Sequence, residues 1–297
     1  MSTALLADRI VLSAAFFDTW ALFSRNENRG HFERPEANEA LAHMAKAAAR
    51  SAEANTSRVA AHWQHATAPR AILEIGASVG WNGFALQHRW PEATVSAIEP
   101  ESAAIAVAAE ISVSESARRP IFLQGYAEKL PFSDASLDIV TCLTVIEHVE
   151  SPAGAIAEMS RVLRPGGMLF LEAPNYRWPR EPHLGVWCVP ELGKRSVAFA
   201  ASLQGVNDTR GFLEHLKFVT PRAMERYFVQ SGLRAENLAA EKLAAAARGD
   251  SAGVVAYHST ARVLGALGRL GLANAAARIL VGAGLYPSLI YVARKPG

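Results

Sequence analysis

From Ala71 onward, apolar runs alternate with stretches of helical spacing. Ala71, Ile72 and Leu73 lead into Glu74, small residues recur at Gly76, Ala77, Ser78 and Gly80, and Phe84, Ala85, Leu86 and Trp90 follow at roughly helical spacing. That order predicts a buried strand, a tight turn and a helix start. Thr94 to Ile98 is a β-rich run closing on Glu99-Pro100, Ser102 to Ile111 is alanine-rich and helical, and Ile121 to Leu123 and Leu137 to Leu143 read as two further strands. Ser151-Pro152 combines an N-cap with proline at the first helical position. Ile156, Met159 and Leu163 give that helix its apolar face, and Pro165-Gly166-Gly167 stops it before a strand at Met168 to Glu172. Thr220-Pro221 opens a helix that ends at Gly232, Leu238 to Leu243 reads as a short strand, and Ser288 to Ala293 as the last one. The alternation predicts an α/β fold, a doubly wound, mostly parallel sheet with helices on both faces.

The flanks follow other rules. Leu5, Ile10, Leu12, Phe16 and Trp20 are only loosely helical in spacing, whereas Leu41, Met44, Ala45 and Ala48 keep to one helical face, with polar Arg25 to Glu36 as a loop between. We therefore expect an N-terminal helical cap over 1–68 and the sheet domain over 69–297. Pro174 to Val219 has prolines, aromatics and glycines but no period, and so long a connection is either functional or misread. The expectation for 174–219 is an acceptor or lid segment. A helical insertion is expected at 248–287, before the last strand.

Composition narrows the classes. The chain has 297 residues, 50% of them hydrophobic, with 30 Lys plus Arg against 28 Asp plus Glu. Balanced charge gives no reason to expect a nucleic-acid partner. The two cysteines, Cys142 and Cys188, fit a reducing, cytoplasmic compartment better than a disulfide. The N-terminus lacks a signal-peptide pattern, and no apolar run reaches the roughly 20 residues of a membrane span. After Asp250 there is no acid, while Arg262 and Arg269 would share one face of a helix capped by Ser259-Thr260. A basic amphipathic segment over 259–284 fits either peripheral contact with the inner face of a membrane or packing against the sheet or a second subunit, as in a homodimer.

The turn at 76–80 lets a ligand lie against bare backbone, and the helix start adds N–H donors. The phosphate-binding order G-x-G-x-x-G is absent, which argues against a nicotinamide-dependent oxidoreductase. Glu99, at a strand end some 20 residues past the glycines, is placed to accept from ribose hydroxyls.

Glu-x-Gly-x-Ser-x-Gly at 74–80 resembles the first motif of the class I S-adenosylmethionine-dependent methyltransferases, with Ser78 where the family usually has a glycine. Gly125-Tyr126-Ala127-Glu128-Lys129-Leu130-Pro131-Phe132 is similar to the family's adenine-recognising segment, with Tyr126 in place of an aspartate. Leu143-Thr144-Val145-Ile146-Glu147-His148-Val149, Leu163-Arg164-Pro165-Gly166-Gly167 and Leu171-Glu172-Ala173-Pro174-Asn175 follow in order. Over 71–175 the chain resembles the methyltransferase type 11 group. The resemblance implies a seven-stranded Rossmann-like sheet with an antiparallel last strand, and S-adenosyl-L-methionine as cofactor. It places the cofactor against Glu74, Gly76, Ala77, Ser78, Gly80, Glu99, Pro100, Tyr126, Ala127, Glu128 and Thr144.

His148 and His183 are the catalytic candidates, because imidazole titrates near neutrality. For His148 the alternative is that Glu147 and His148 anchor the next helix or face the cofactor. The stretch Tyr176 to Trp187 leaves the fifth strand's carboxyl end and should overhang the methyl donor, with Asn175, Tyr176, Trp178, Glu181, His183 and Trp187 lining an acceptor pocket. No metal is expected, since the histidines are scattered and no Cys/His spacing fits a site. The acceptor would be a small molecule or a lipid- or glycan-linked group. A non-catalytic protein that binds S-adenosylmethionine or S-adenosylhomocysteine beside a partner enzyme is the alternative left open.

Overall fold

The computed structural model describes residues 5–26, 37–114, 118–208, 211–247 and 273–297, with Gly265, Ala266 and Arg269 besides. The strands in chain order are β1 (Ile10–Leu12), β2 (Ala71–Ile75), β3 (Thr94–Glu99), β4 (Ile111–Val113), β5 (Ile121–Gln124), β6 (Leu137–Leu143), β7 (Leu163–Pro174), β8 (Arg180–Glu181), β9 (Val186–Trp187), β10 (Arg234–Asn237) and β11 (Ser288–Arg294). Seven of them form the central, mostly parallel sheet, in the order β10-β11-β7-β6-β2-β3-β5. The chain divides into two compact units, Met1–Thr141 and Cys142–Gly297.

In the first unit β2 pairs parallel to β3, and β3 to β5. Buried on both faces, β2 and β3 carry the continuous apolar runs expected of parallel strands. The N-terminal helices Ala14–Asn26 and Ala37–Ala61 do not sit apart from this layer. Phe16, Trp20, Leu41 and Ala45 share one core with Trp81, Phe84 and Val107. The rings of Phe16, Trp20 and Trp81 meet at centroid distances of 5.1–6.2 Å. Each such fully buried apolar side chain stabilises by about 1.5–3 kcal/mol. These helices thus belong to the same compact unit, Met1–Thr141, as β2, β3 and β5.

Two short strands replace helix where the spacing was loose. Ile10–Leu12 is extended and pairs antiparallel with Ile111–Val113, so the helix expected over Ser102 to Ile111 stops at Ala109. β-branched Ile10, Val11, Ile111 and Val113 favour this pairing.

In the second unit β11 runs antiparallel to β7 over seven residue pairs, and β10 antiparallel to β11. Both expected helix caps are present: Ser151 Oγ accepts from Gly154 N at 3.1 Å, and Thr220 Oγ1 from Ala223 N at 3.4 Å. The strand expected at Leu238 to Leu243 lies earlier, at Arg234–Asn237. Asn237 Oδ1 accepts from Ala239 N at 2.9 Å, and the helix Ala239–Ala247 begins there. Lys242 on that helix pairs with buried Glu172 of β7. The helix Ala273–Gly282 packs on Ala239–Ala247 and buries Ala277.

Residues 184–218, aperiodic as sequence, hold the helix Lys194–Leu203 and a small core of their own, Val186, Val197, Ala201 and Leu213. The expected basic helix opening at Ser259-Thr260 lies outside the described residues save Gly265, Ala266 and exposed Arg269. Among the described residues, no helix is long and apolar enough to cross a membrane.

Candidate functional site

The first unit closes its strands on two buried acids. Gly76 N and Ala77 N both donate to Ile98 O, at 2.8 and 3.0 Å, so the turn after β2 hangs on the end of β3. The turn is left-handed at Gly76, Ser78 and Gly80, with φ of 70°, 48° and 92°. For Ser78 this is an unfavourable backbone. Its N–H is held in place by Glu99, whose Oε2 accepts at 2.7 Å, while Oε1 accepts from Glu101 N at 3.1 Å. Each such charge-assisted bond is worth about 1.5–3 kcal/mol, which offsets the strain at Ser78. At Gly80 a side chain is excluded, since a Cβ would stand 2.7 Å from the Phe122 ring.

Glu74, the penultimate residue of β2, is 2% exposed. Burial pushes its carboxyl up to about 8, against the lowering effect of the Asn82 side chain and the Gly83 N–H, and nearby Glu99 raises it further. Its Oε2 has no hydrogen-bond partner. Gly83 keeps that oxygen open, because a Cβ there would come within 3.1 Å of it. Asn82 is itself oriented by the N-terminal helix: Asn55 Nδ2 donates to Asn82 Oδ1 at 3.1 Å, and Arg58 Nη2 to Asn55 Oδ1 at 2.6 Å. Asn55 and Asn82 were not among the expected site residues. The one signal for Asn82 was a polar side chain in an otherwise apolar first helical turn.

A buried carboxyl oxygen without a donor, beside a glycine turn, fits a cationic ammonium. Each Glu99 oxygen spends one acceptor direction on backbone and retains another for a ribose hydroxyl. The residues present therefore fit the two polar ends of S-adenosylmethionine. The segment expected to recognise adenine is a turn at the end of β5, where Gly125 N donates to Glu99 O at 3.2 Å and Lys129 N to Tyr126 O at 3.2 Å. Within it Ala127 is buried and Tyr126 is exposed. Pro100 is exposed, its carbonyl taken by Gln124 Nε2 at 2.9 Å.

The second unit gathers the acceptor candidates. Thr144, past the end of β6, takes φ 55° and donates its N–H to Glu172 O at 2.7 Å. It lines a small cleft with Glu172, Ala173, Pro174, Pro182, Pro287 and Ser288. Glu147 is 1% exposed, and its carbonyl accepts from Lys217 N at 2.7 Å. Burial raises its carboxyl to about 7. Burial lowers His148 to about 4, and His183 lowers it further while Glu181 opposes. His148 is thus a neutral imidazole at neutral pH.

Glu181 of β8 is fully buried, its Oε1 2.7 Å from His183 Nδ1 and its Oε2 accepting from Leu184 N at 2.6 Å. Tyr176 stacks on Phe218 at 4.5 Å and brings its hydroxyl to 3.4 Å from His183 Nδ1. Trp187 is half exposed, with the Arg180 guanidinium 5.6 Å above its ring. Tyr176, Glu181 and His183 form one hydrogen-bonded group, and His148 meets the His183 ring edge to face at 5.1 Å.

Asn175 departs from its expected part in acceptor binding. Its Nδ2 donates to Gly284 O and Tyr286 O at 2.9 and 2.7 Å, and its Oδ1 accepts from Arg177 N at 3.0 Å. With both amide ends consumed and 1% exposure, Asn175 clamps the chain after β7 to the turn before β11. Two of the histidines, scattered in sequence, are not scattered in space: His148, His183 and buried Glu147 each bring a ligand atom within 4.8 Å of the others, contrary to the expectation of no metal-ligating group.

Residues 73–171 match the methyltransferase domain family. A ubiquinone biosynthesis O-methyltransferase of Aromatoleum aromaticum is 28% identical over 147 residues, 49% of this chain and 57% of that protein. A malonyl-[acyl-carrier protein] O-methyltransferase of Xylella fastidiosa is 33% identical over 103 residues, 34% of each chain. These matches thus span about a third to somewhat over half of the relatives' length. The crystal structure of the YcgJ protein from Bacillus subtilis shares the fold, with a TM-score of 0.50 at 18% identity over 82% of this chain and 98% of that one. Over residues 73–171 the chain thus matches the methyltransferase domain family, in keeping with its ordered motifs and the buried acids beside the glycine turn.

Proposed function

We propose that this chain transfers the methyl group of S-adenosylmethionine to an oxygen of a small-molecule or lipid- or glycan-linked acceptor. The observation that carries the reading is the pair of buried acids at the ends of β2 and β3. Glu74, with its unpartnered Oε2, would take the cofactor's ammonium, and Glu99 its ribose hydroxyls. The sulfonium already makes the methyl group electrophilic. The protein's task is then to align the acceptor oxygen with the S–CH₃ bond and keep water out. The S–C bond breaks as the C–O bond forms, S-adenosylhomocysteine leaves, and a hydroxyl acceptor releases its proton.

The choice of oxygen draws on the relatives named O-methyltransferases. His148 and His183 are the groups we assign to activating the acceptor, with Tyr176, Trp178 and Trp187 as its apolar wall. Trp178 adds a buried indole N–H without a partner, a donor that an acceptor oxygen would satisfy. A lipid-linked acceptor is the narrower form of the proposal and draws on the basic 259–284 segment. Anionic vesicles should sediment the protein at low salt and release it at high salt, and Arg262→Glu with Arg269→Glu should abolish this.

Calorimetry with S-adenosylhomocysteine, followed by methyl transfer from labelled cofactor to a panel of phenols, quinols and carboxylic acids, tests the proposal. Cofactor binding with turnover on an oxygen acceptor is the expected result. Tight binding without turnover on any acceptor would favour a non-catalytic partner protein. No binding would end the proposal.

A further inference from the structure

Glu147, His148 and His183 each bring a ligand atom within 4.8 Å of the others. His148 Nε2 stands 3.8 Å from Glu147 Oε1. Glu147 Oε2 is buried and has no hydrogen-bond partner. An unsatisfied buried carboxylate oxygen is costly, and a cation is one of the few groups that removes the cost.

Behind His183, Glu181 Oε1 lies 2.7 Å from Nδ1. A buried carboxylate on one imidazole nitrogen fixes the tautomer and ring orientation and raises the basicity of the other nitrogen. That is how metal-ligating histidines are held. The second Glu181 oxygen accepts the Leu184 N–H at 2.6 Å, so the carboxylate is itself anchored.

We propose that Glu147, His148 and His183 hold a divalent transition-metal ion, with Glu181 as the positioning carboxylate behind His183. Two imidazoles and one carboxylate suit an ion of borderline softness, such as zinc, cobalt(II) or iron(II), and exclude magnesium or calcium as the preferred occupant. Three protein ligands leave a coordination position for an oxygen of the acceptor. Bonds of about 2.0–2.1 Å in a tetrahedral site place ligand atoms roughly 3.4 Å apart, so the cluster must close slightly. His148, its side chain 42% exposed, has room to turn.

The inference deepens the proposed function, and rests on it only in assigning the acceptor to this cluster. The two histidines become metal ligands, and the ion, not a free imidazole, draws charge from the acceptor oxygen.

The test is titration of the chelator-treated full chain with cobalt(II), read by ligand-field absorption, with zinc as competitor. We expect saturable, stoichiometric binding reversed by zinc. His148→Ala and His183→Ala should each weaken it by at least about 100-fold. Glu181→Gln should cost about 10–100-fold while keeping the spectrum. Circular dichroism reports whether each variant folds, and the wild-type titration decides alone if one does not. No cobalt spectrum from the wild type, or equal binding by folded His148→Ala, overturns the site. Calorimetry with S-adenosylhomocysteine on the same chelated sample separates the readings. Cofactor binding and turnover without metal binding sink this inference alone, whereas metal binding without cofactor binding sinks the proposed function.

Discussion

The acids of the first unit and those of the second are all buried, and each unit leaves one carboxylate oxygen without a partner, on Glu74 and on Glu147, but their neighbours differ in kind. Glu99 spends its charge on backbone N–H groups of Ser78 and Glu101, and Glu74 lies beside Asn82 and Gly83 on the adjoining helix start. These partners are backbone or short amides, laid out by one strand-turn-helix unit and the strand beside it. Glu147 and Glu181 instead face imidazoles. A cradle made of backbone recognises a fixed ligand by shape and hydrogen bonds. A cluster made of side chains can exchange protons or bind a cation, and its chemistry changes with single substitutions.

The largest expected effect probes that division. His183→Ala should lower turnover by about 100-fold or more, the range for loss of an activating side chain, while S-adenosylhomocysteine affinity stays within about twofold. If calorimetry shows the affinity falling as far as the rate, the two clusters are not functionally distinct and 176–187 is a cofactor lid.

The converse substitution is next. Glu99→Ala removes two backbone bonds and the proposed ribose contacts, each charged bond being worth about 1.5–3 kcal/mol, so cofactor affinity should fall more than tenfold. Unchanged affinity in a folded variant would remove Glu99 from the cofactor site.

A pH titration sharpens the role of Glu74. Its carboxyl is raised to about 8 by burial. The carboxyl is therefore mostly protonated at pH 7 and must ionise to hold an ammonium. Affinity for S-adenosylhomocysteine should then weaken by about tenfold per pH unit below 8, and Glu74→Gln should flatten the slope. The stability of the protein without cofactor runs the other way. A raised folded pKa stabilises fully below the ordinary carboxylate range, and that stabilisation is lost as pH rises through about 8. Thermal melts of Glu74→Gln against wild type at pH 6 and 8.5 check the sign.

The smallest effect concerns the N-terminal helix. Asn55→Ala frees Asn82 from its orienting bond, about 1 kcal/mol of a neutral hydrogen bond, or roughly fivefold in cofactor affinity. No change would make the helix Ala37–Ala61 a purely structural cover.

Local spacing carried the sheet, the caps and the turn, because each depends on neighbours in sequence. Ser151-Pro152, Thr220-Pro221 and the strands from Ala71 to Leu143 stand where their residues predict. Legibility failed where a partner far along the chain decided the outcome. Ile10–Leu12 reads as failing helix until Ile111–Val113 is beside it. Leu238 reads as strand until Asn237 caps the helix Ala239–Ala247.

The sequence by itself determined the α/β class, the glycine turn and the strand positions of Glu74 and Glu99, since strand, turn and helix start are a single local unit with one usable geometry. Only the tertiary structure decided that Asn175 is a clamp, that Asn55 reaches Asn82, and that His148 and His183 meet beside Glu147. Such contacts close long loops, and their position follows from how whole elements pack, not from the period of residues within any one of them.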